Sequence, residues 1–172
     1  FELPRSSWDD YDRSKLSPGA MIVSRGQKEV VLTPEAAAAI GIEPGTYDPS
    51  AIISAILKAP VGLLWFGGIG TYVKASSQAH SAVGDPVNDP LRVDASELRA
   101  RVLGEGANLA ITQAARIEFG EHGGRCNTDF IDNSAGVDCS DNEVNIKIPL
   151  NQEMLDGRLA LDDRNALLGG MT

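Results

Sequence analysis

The sequence has few of the features that mark secreted, membrane or nucleic-acid-binding proteins. It contains two cysteines in 172 residues, Cys126 and Cys139, which are too few for a disulfide framework and fit a reducing compartment. No apolar run approaches the roughly 18 residues that a membrane-spanning helix needs. The formal net charge is −9 and no basic stripe is present, so nucleic acid is not expected as a partner.

The composition is nevertheless that of a folded globular domain. Apolar residues make up 42% of the chain and charged residues 23%, so wholesale disorder is not expected. The sequence begins Phe1-Glu2, with neither an initiator Met nor the basic head and apolar core of a signal peptide. We therefore interpret it as a piece of a longer cytoplasmic protein.

Three apolar segments, each followed by a glycine-containing turn and a helix-like segment, predict an α/β fold with a parallel, doubly wound sheet. The first segment lacks polar residues, which is typical of a strand buried on both faces. Strands are expected at residues 61–66, 101–103 and 125–131, and helices at 34–40, 50–58, 71–80, 111–121, 144–148 and 155–168. Residues 1–60 are predicted to form an irregular and helical insertion, and residues 61–172 the sheet-bearing part.

The glycine turns are expected to lie at one edge of the sheet, since the carboxyl ends of parallel strands face the same way. Ligands bind at that edge, where backbone N–H groups are unpaired. Asn108 and Asn133 would add donors and acceptors for a ribose or a carboxamide. Taken alone, Gly104-x-Gly106-x-x-Leu109 is a weak dinucleotide signal because its third glycine is missing, and these glycines equally fit plain chain turns.

Several other polar residues admit more than one interpretation. Asp129 could bind a ribose, and Glu105 fits either a solvated turn or a site carboxylate. Ser140 opens a Ser-x-x-Glu pattern that is typical of a helix N-cap. Residues 132–143 resemble a calcium loop only in part, because Val137 stands where such a loop needs glycine. No metal site is predicted.

Longer motifs resemble a single family over essentially the whole chain. They are LPRSSWDDY at residues 3–11, LWFGGIGTYVKA at 64–75, GEGANL at 104–109 and NTDFIDNSAGVDCSD at 127–141. These motifs resemble the large-subunit class of bacterial NAD-specific glutamate dehydrogenases. The resemblance implies oxidative deamination of L-glutamate to 2-oxoglutarate and ammonia, with hydride transfer to NAD. It also implies that residues 61–172 form the second half of a Rossmann-type NAD-binding domain, truncated at its end.

The resemblance further implies roles for particular residues. No stretch matches the catalytic Lys and Asp of the wider superfamily, which belong to an upstream substrate-binding domain, so no catalytic residue is predicted in this chain. The residues that match cofactor-binding turns are Gly67, Gly68, Gly70, Thr71, Gly106, Asn108 and Asn133, and Ser140 matches a serine near the substrate carboxylate.

The same resemblance implies that the rest of the parent enzyme is needed for activity and that the enzyme is a homo-oligomer. The chain alone is expected to be inactive. Two alternatives remain open. One is a non-catalytic α/β module that binds a nucleotide or a protein partner for regulation, and the other is a dehydrogenase of another amino acid, such as leucine or valine.

Overall fold

A computed structural model describes residues 7–171 and has an α/β architecture. The strands are β1 (Val30–Val31), β2 (Thr46–Tyr47), β3 (Leu63–Phe66), β4 (Val73–Lys74), β5 (Val93–Asp94), β6 (Val102–Glu105) and β7 (Arg125–Cys126). The α-helices are α1 (Pro34–Ile40), α2 (Pro49–Leu57), α3 (Gln113–Glu121), α4 (Asp129–Asp132), α5 (Ser134–Asp138), α6 (Val144–Leu155) and α7 (Leu161–Gly169). Residues 3–6, which open the first family motif, lie outside the described residues.

The central sheet is parallel, as predicted, and has the strand order β3-β6-β7. In its register Trp65 lies beside Gly104, and Leu103 lies beside both Leu64 and Cys126. A smaller parallel ladder joins β4 to β5, and an antiparallel pair joins β1 to β2. The carboxyl ends of β3 and β6 therefore meet at one edge, which is where the sequence placed its glycine turns.

The two faces of the central sheet differ in burial. Phe66 and Leu103 belong to the main hydrophobic cluster, together with Leu57 of α2 and Phe119 of α3. On the opposite face, the side chains of Leu63, Trp65 and Val102 are exposed. The prediction that the first strand is buried on both faces is therefore wrong, because no element within residues 7–171 covers this second face.

The segment predicted as a helix at residues 71–80 is not helical. Its first part forms β4, and its last residue begins a single 3-10 turn at His80–Ala82. The Tyr72 N–H donates to the Ala110 carbonyl at 2.8 Å, and Val73 bridges Ile111 in parallel. Bulky and β-branched residues favour such an extended segment, and tertiary pairing holds it in this conformation.

The C-terminal third is more helical than the sequence predicts. The third strand ends at Cys126 rather than at residue 131, and most of residues 132–136, where the sequence indicates a glycine-containing turn after this strand, is helix. Ser140 lies inside a π-helical segment, Cys139–Glu143, so it does not cap a helix. Pro149 lies within α6 instead of ending it, and the last helix begins at Leu161 instead of 155.

The N-terminal part follows its local signals closely. Thr33 caps α1 by accepting the Ala36 N–H at 3.2 Å, and Gly41 ends this helix in the left-handed region at φ = 74°. A separate hydrophobic cluster forms here around Val30 and Leu32. Helix α2 contributes to both clusters, with Ile52 in the N-terminal one and Leu57 in the main one.

We expect Thr33→Ala to lower the free energy of unfolding by about 1 to 2 kcal/mol. The hydroxyl caps α1 and also donates to the Gly19 carbonyl, so its loss leaves two backbone groups unpaired. Urea denaturation of this chain measures the effect. Thr33→Ser is the matched control because it keeps the hydroxyl, and an equal loss in both variants would contradict the capping role.

Candidate functional site

Two loop tips and the C-terminal end of α4 meet at the carboxyl edge of the central sheet. The Gly106 N–H donates to the Phe66 carbonyl at 2.8 Å, so the turn after β6 begins beside the turn after β3. The Asn133 side-chain amide donates to Asn108 Oδ1 at 2.9 Å, which joins the end of α4 to the loop after β6. The structure thus brings together two asparagines that lie 25 residues apart in the sequence.

The groups at this edge remain accessible. Asn108 is exposed, and its amide NH2 group has no hydrogen-bond partner among residues 7–171. Gly67 and Gly68 are exposed as well, and a Cβ added at Gly68 would meet open space. Both glycines line a cavity of about 220 Å³ next to Trp65. The lining of this cavity includes neither Asn108 nor Asn133, so the amide donors lie at the same edge as the accessible glycine backbone but outside the cavity.

Gly70 and Thr71 belong to the same turn but are directed into the protein. Gly70 has φ = 129°, and a Cβ there would lie 2.7 Å from the Asn88 amide, so the position favours glycine for backbone reasons. The Thr71 N–H donates to Asp85 Oδ2 at 2.8 Å. Hydrogen bonds from Asn88 and Thr71, together with the charge of Arg92, hold the pKa of Asp85 below its usual value. These residues shape the loop and leave no free N–H at Thr71.

A buried arginine holds this loop from below. The Arg92 side chain is fully buried, and its Nε donates to the Thr71 carbonyl at 2.9 Å. Its guanidinium also pairs with Asp89 and donates to the Asp85 carbonyl. Removing the charge would leave several polar groups unpaired, so this cluster fixes the path of residues 71–92.

Ser140 lies apart from Asn108 and Asn133. It is exposed, and its Oγ donates to the Val137 carbonyl at 3.1 Å, one turn earlier in the helical stretch. Ser140 is seven positions after Asn133 along a helical stretch, a rise of about 10 Å. Among the described residues, the side-chain hydrogen bonds of Ser140 are with Val137 and Asp141, and none joins it to Asn108.

Beneath the Asn108 loop lies a buried carboxylate. Glu105 is 1% exposed, and its Oε1 accepts the N–H groups of Ala110 at 2.9 Å and Ile111 at 3.2 Å. Its Oε2 accepts the Arg116 Nε at 3.1 Å and forms an ion pair with that guanidinium. Burial raises the pKa of Glu105, and the Arg116 charge opposes the rise. The sequence left Glu105 between two interpretations, and the structure places it inside the protein.

Helix α4 supports the loop from the other side. Asp129 Oδ2 accepts the Leu109 N–H at 3.0 Å, and Asp132 Oδ2 accepts the Glu105 N–H at 3.1 Å. Leu109 has φ = 68°, a left-handed conformation that is unfavourable for leucine, and its side chain is exposed. Asp129 is thus engaged by the protein backbone, whereas the sequence suggested a ribose partner.

Sequence reasoning missed Arg116 and Asp132 as members of this cluster. Arg116 lies beside Ala115, which faces the core, and only its guanidinium reaches Glu105. The available signal was weak: an arginine in the first turns of a helix that follows a carboxylate-bearing strand. The spacing of 11 residues between Glu105 and Arg116 matches no local pattern, so only the tertiary packing of α3, which contacts β4 and β7, brings them together.

Other kinds of site find no support in the described part of the chain. Residues 7–171 contain no cluster of three or more His, Cys, Asp or Glu side chains that could hold a metal ion. No helix in this range has the length and apolar character needed to cross a bilayer. Cys126 is partly buried in β7, and burial raises the pKa of its thiol. A thiol with a raised pKa is a poor nucleophile.

A parallel sheet with loop tips converging at its carboxyl edge is the arrangement of ligand-binding α/β proteins. The chain belongs to the family described as bacterial NAD-glutamate dehydrogenase, catalytic domain, whose model matches residues 1–172. That description covers the whole chain and assigns no part of it to a separate cofactor domain.

Three curated relatives are similar over the full length of the chain. The NAD-specific glutamate dehydrogenase of Pseudomonas aeruginosa is 58% identical over 172 residues, and that of Mycobacterium tuberculosis is 52% identical over 179 residues. The NAD-specific glutamate dehydrogenase of Halomonas elongata is 48% identical over 172 residues. Each alignment covers 100% of this chain but 11% of the relative, so the chain spans about one ninth of the length of these proteins.

Proposed function

We propose that this chain is part of an NAD-specific glutamate dehydrogenase and contributes the nicotinamide side of its cofactor site. The supporting observation is the convergence of Gly67, Gly106, Asn108 and Asn133 at one sheet edge, in a chain whose relatives carry that name. The proposed fold is the second half of a Rossmann-type domain. Residues 61–172 would form this half, and residues 1–60 an insertion packed on it.

The proposed reaction converts L-glutamate, NAD⁺ and water into 2-oxoglutarate, ammonium, NADH and a proton. When bound, NAD would accept the hydride that leaves the glutamate α-carbon. The task of this chain is to orient the nicotinamide end, because hydride transfer depends on a short and aligned approach. The substrate pocket and the catalytic residues would come from other parts of a homo-oligomeric, cytoplasmic enzyme, with Ser140 as a candidate contact to the substrate carboxylate.

The residues present fit the nicotinamide and ribose groups of NAD. The free NH2 group of Asn108 can donate to a ribose hydroxyl or a carboxamide oxygen, and its partner Asn133 fixes its orientation. The exposed backbone at Gly67 and Gly68 permits close approach of a ligand. Gly70 and Thr71 would act by shaping this turn and not by direct contact.

The experiment that tests the proposal is turnover by the full-length protein. We expect the protein to form NADH from L-glutamate and NAD. The absorbance of the reduced nicotinamide measures the rate. L-leucine and L-valine serve as alternative substrates. Faster turnover with either of these would favour another amino-acid dehydrogenase, and absence of both turnover and NAD binding would favour a regulatory module.

In the same protein we expect Asn108→Ala to raise the KM for NAD by roughly 5- to 150-fold, because a hydrogen bond worth about 1 to 3 kcal/mol is lost. The KM for glutamate should change little. Asn165→Ala is a matched control, since Asn165 is an exposed asparagine in α7. Equal KM values for NAD in the wild type and the Asn108 variant would remove Asn108 from the site.

A further inference from the structure

We propose that Glu105, Arg116 and Asp129 are positioning residues that set the orientation of Asn108 toward the nicotinamide end of NAD. This inference rests on the proposed function above. The three side chains form one charged cluster, in which Arg116 pairs with Glu105 and its Nη2 lies 3.8 Å from Asp129 Oδ1. None of the three was assigned a cofactor-positioning role from the sequence.

The first step concerns the far end of the loop. Two successive backbone N–H groups, those of Ala110 and Ile111, converge on a single oxygen of Glu105. Both residues are at most 2% exposed, so water cannot replace this acceptor. The carboxylate therefore fixes the point where the loop leaves the edge and enters α3. Because Glu105 itself is 1% exposed, it acts on a ligand only through the loop.

The second step concerns the strained residue next to Asn108. Leu109 adopts φ = 68°, and this left-handed conformation is unfavourable for a residue with a side chain. Such a conformation persists only where the surroundings hold it. The bond from the Leu109 N–H to Asp129 Oδ2, at 3.0 Å, is the contact that holds it here. Asn108 thus sits between two anchored points.

The third step links the two asparagines through the same cluster. Asp129 belongs to α4, and Asn133 is the residue at which this helix ends. Helix α4 therefore holds the loop backbone through Asp129 and the Asn108 side chain through Asn133. Arg116 ties this helix to Glu105, so a shift of the cluster would move both asparagines with respect to a bound ligand.

The test uses the full-length enzyme and Glu105→Gln. The amide keeps the shape of the side chain but places an NH2 group against the donors of Arg116. A displacement of the loop by about 1 Å is expected to lower kcat/KM for NAD by about 10- to 100-fold. The KM for glutamate should stay near the wild-type value, and the primary isotope effect with α-deuterated glutamate should rise because hydride transfer becomes slower.

A second pair of variants covers the case in which Glu105→Gln does not fold. Asp129→Ala removes the acceptor of the Leu109 N–H and is expected to raise the KM for NAD by about 5-fold, whereas Asp129→Asn keeps an acceptor oxygen and should restore most of the activity. Glu118→Gln is the matched control. Glu118 lies in α3, the helix that carries Arg116. Like Glu105 and Asp129 it accepts a backbone N–H, that of Ser76 at 2.7 Å, but it does not hydrogen-bond to the loop.

The outcomes separate this inference from the proposed function. If the wild type forms NADH and both Glu105→Gln and Asp129→Ala behave like Glu118→Gln in KM, kcat and isotope effect, the positioning role is wrong while the proposed function stands. If the wild type neither binds NAD nor oxidises glutamate, the proposed function itself fails. A raised KM for NAD with an unchanged melting temperature supports the positioning role, because a general loss of folding would also lower the melting temperature.

Discussion

Replacing Arg116 by Met is expected to lower the free energy of unfolding by about 3 to 5 kcal/mol near neutral pH. The change leaves the carboxylate of Glu105 buried without its cation, and Glu105 is 1% exposed. Breaking one side of a buried ion pair costs more than the pair contributes, because the remaining charge cannot regain its hydration. Urea denaturation at fixed pH measures the loss.

The loss should depend on pH with a defined sign. Burial already raises the pKa of Glu105 above that of the unfolded chain, and loss of the Arg116 charge raises it further. A carboxyl group with a raised folded-state pKa stabilises the fold below its unfolded pKa of about 4.3, and this contribution is lost as pH rises through the folded-state pKa. The stability deficit of Arg116→Met should therefore grow as pH rises from the unfolded-state pKa toward the higher folded-state pKa that Glu105 has in the variant.

Two further variants show whether the charge is the cause. Adding Glu105→Gln to Arg116→Met removes the unpaired charge, so the double variant should recover much of the lost stability and lose the added pH dependence. Lys58→Met breaks the exposed pair with Glu97, whose atoms lie 3.2 Å apart, and should cost less than about 1 kcal/mol. A deficit of Arg116→Met that does not vary with pH would contradict this account.

The N-terminal half shows how far local signals determine structure. Thr33, Pro34 and Gly41 specify where α1 begins and ends, and the structure confirms both bounds. Asp48 caps α2 in the same way, through the Ala51 N–H at 3.0 Å. These features depend on hydrogen bonds between residues within four positions of each other, so the sequence contains all the information that they require.

The errors occur where distant pairing outweighs local preference. The sequence predicts a helix at residues 71–80, yet Tyr72 and Val73 pair with Ala110 and Ile111, almost 40 residues later. The exposure of Trp65 has a similar origin, because burial of a sheet face depends on what covers it and not on the strand itself. An apolar run indicates a strand but does not say how many of its faces are covered.

The candidate site likewise contains features that could be predicted from the sequence and features that depend on distant contacts. Parallel strands require their glycine turns to share an edge, so the proximity of Gly106 and Asn108 to the turn after β3 could be predicted. The approach of Asn133 to Asn108 could be predicted only in general terms. Their hydrogen bond depends on the short strand β7 and on α4, which the sequence did not predict. The support from Arg116 could not be predicted, since it spans 11 residues across a strand, a turn and a helix.

Phe119→Ala is expected to lower the free energy of unfolding by about 3 to 5 kcal/mol, a loss similar to that expected for Arg116→Met. Phe119 is 3% exposed and belongs to the main hydrophobic cluster with Leu103 and Ala115. A Cβ at Gly124 would overlap its ring, so the ring lies directly against that backbone and a cavity would form on its loss. The measurement is the midpoint of urea denaturation, with the slope checked for constancy.

The control for this variant lies on the same helix. Ile117 is 57% exposed, so Ile117→Ala removes apolar atoms from α3 without opening a cavity and should change stability by less than about 1 kcal/mol. Phe119 packs α3 against the backbone at Gly124, just before β7, and α3 carries Arg116, so the Phe119 variant should also weaken the support of the Asn108 loop. Equal stabilities for the two variants would mean that α3 does not depend on its buried face, and the attachment of the loop to the sheet would then need another explanation.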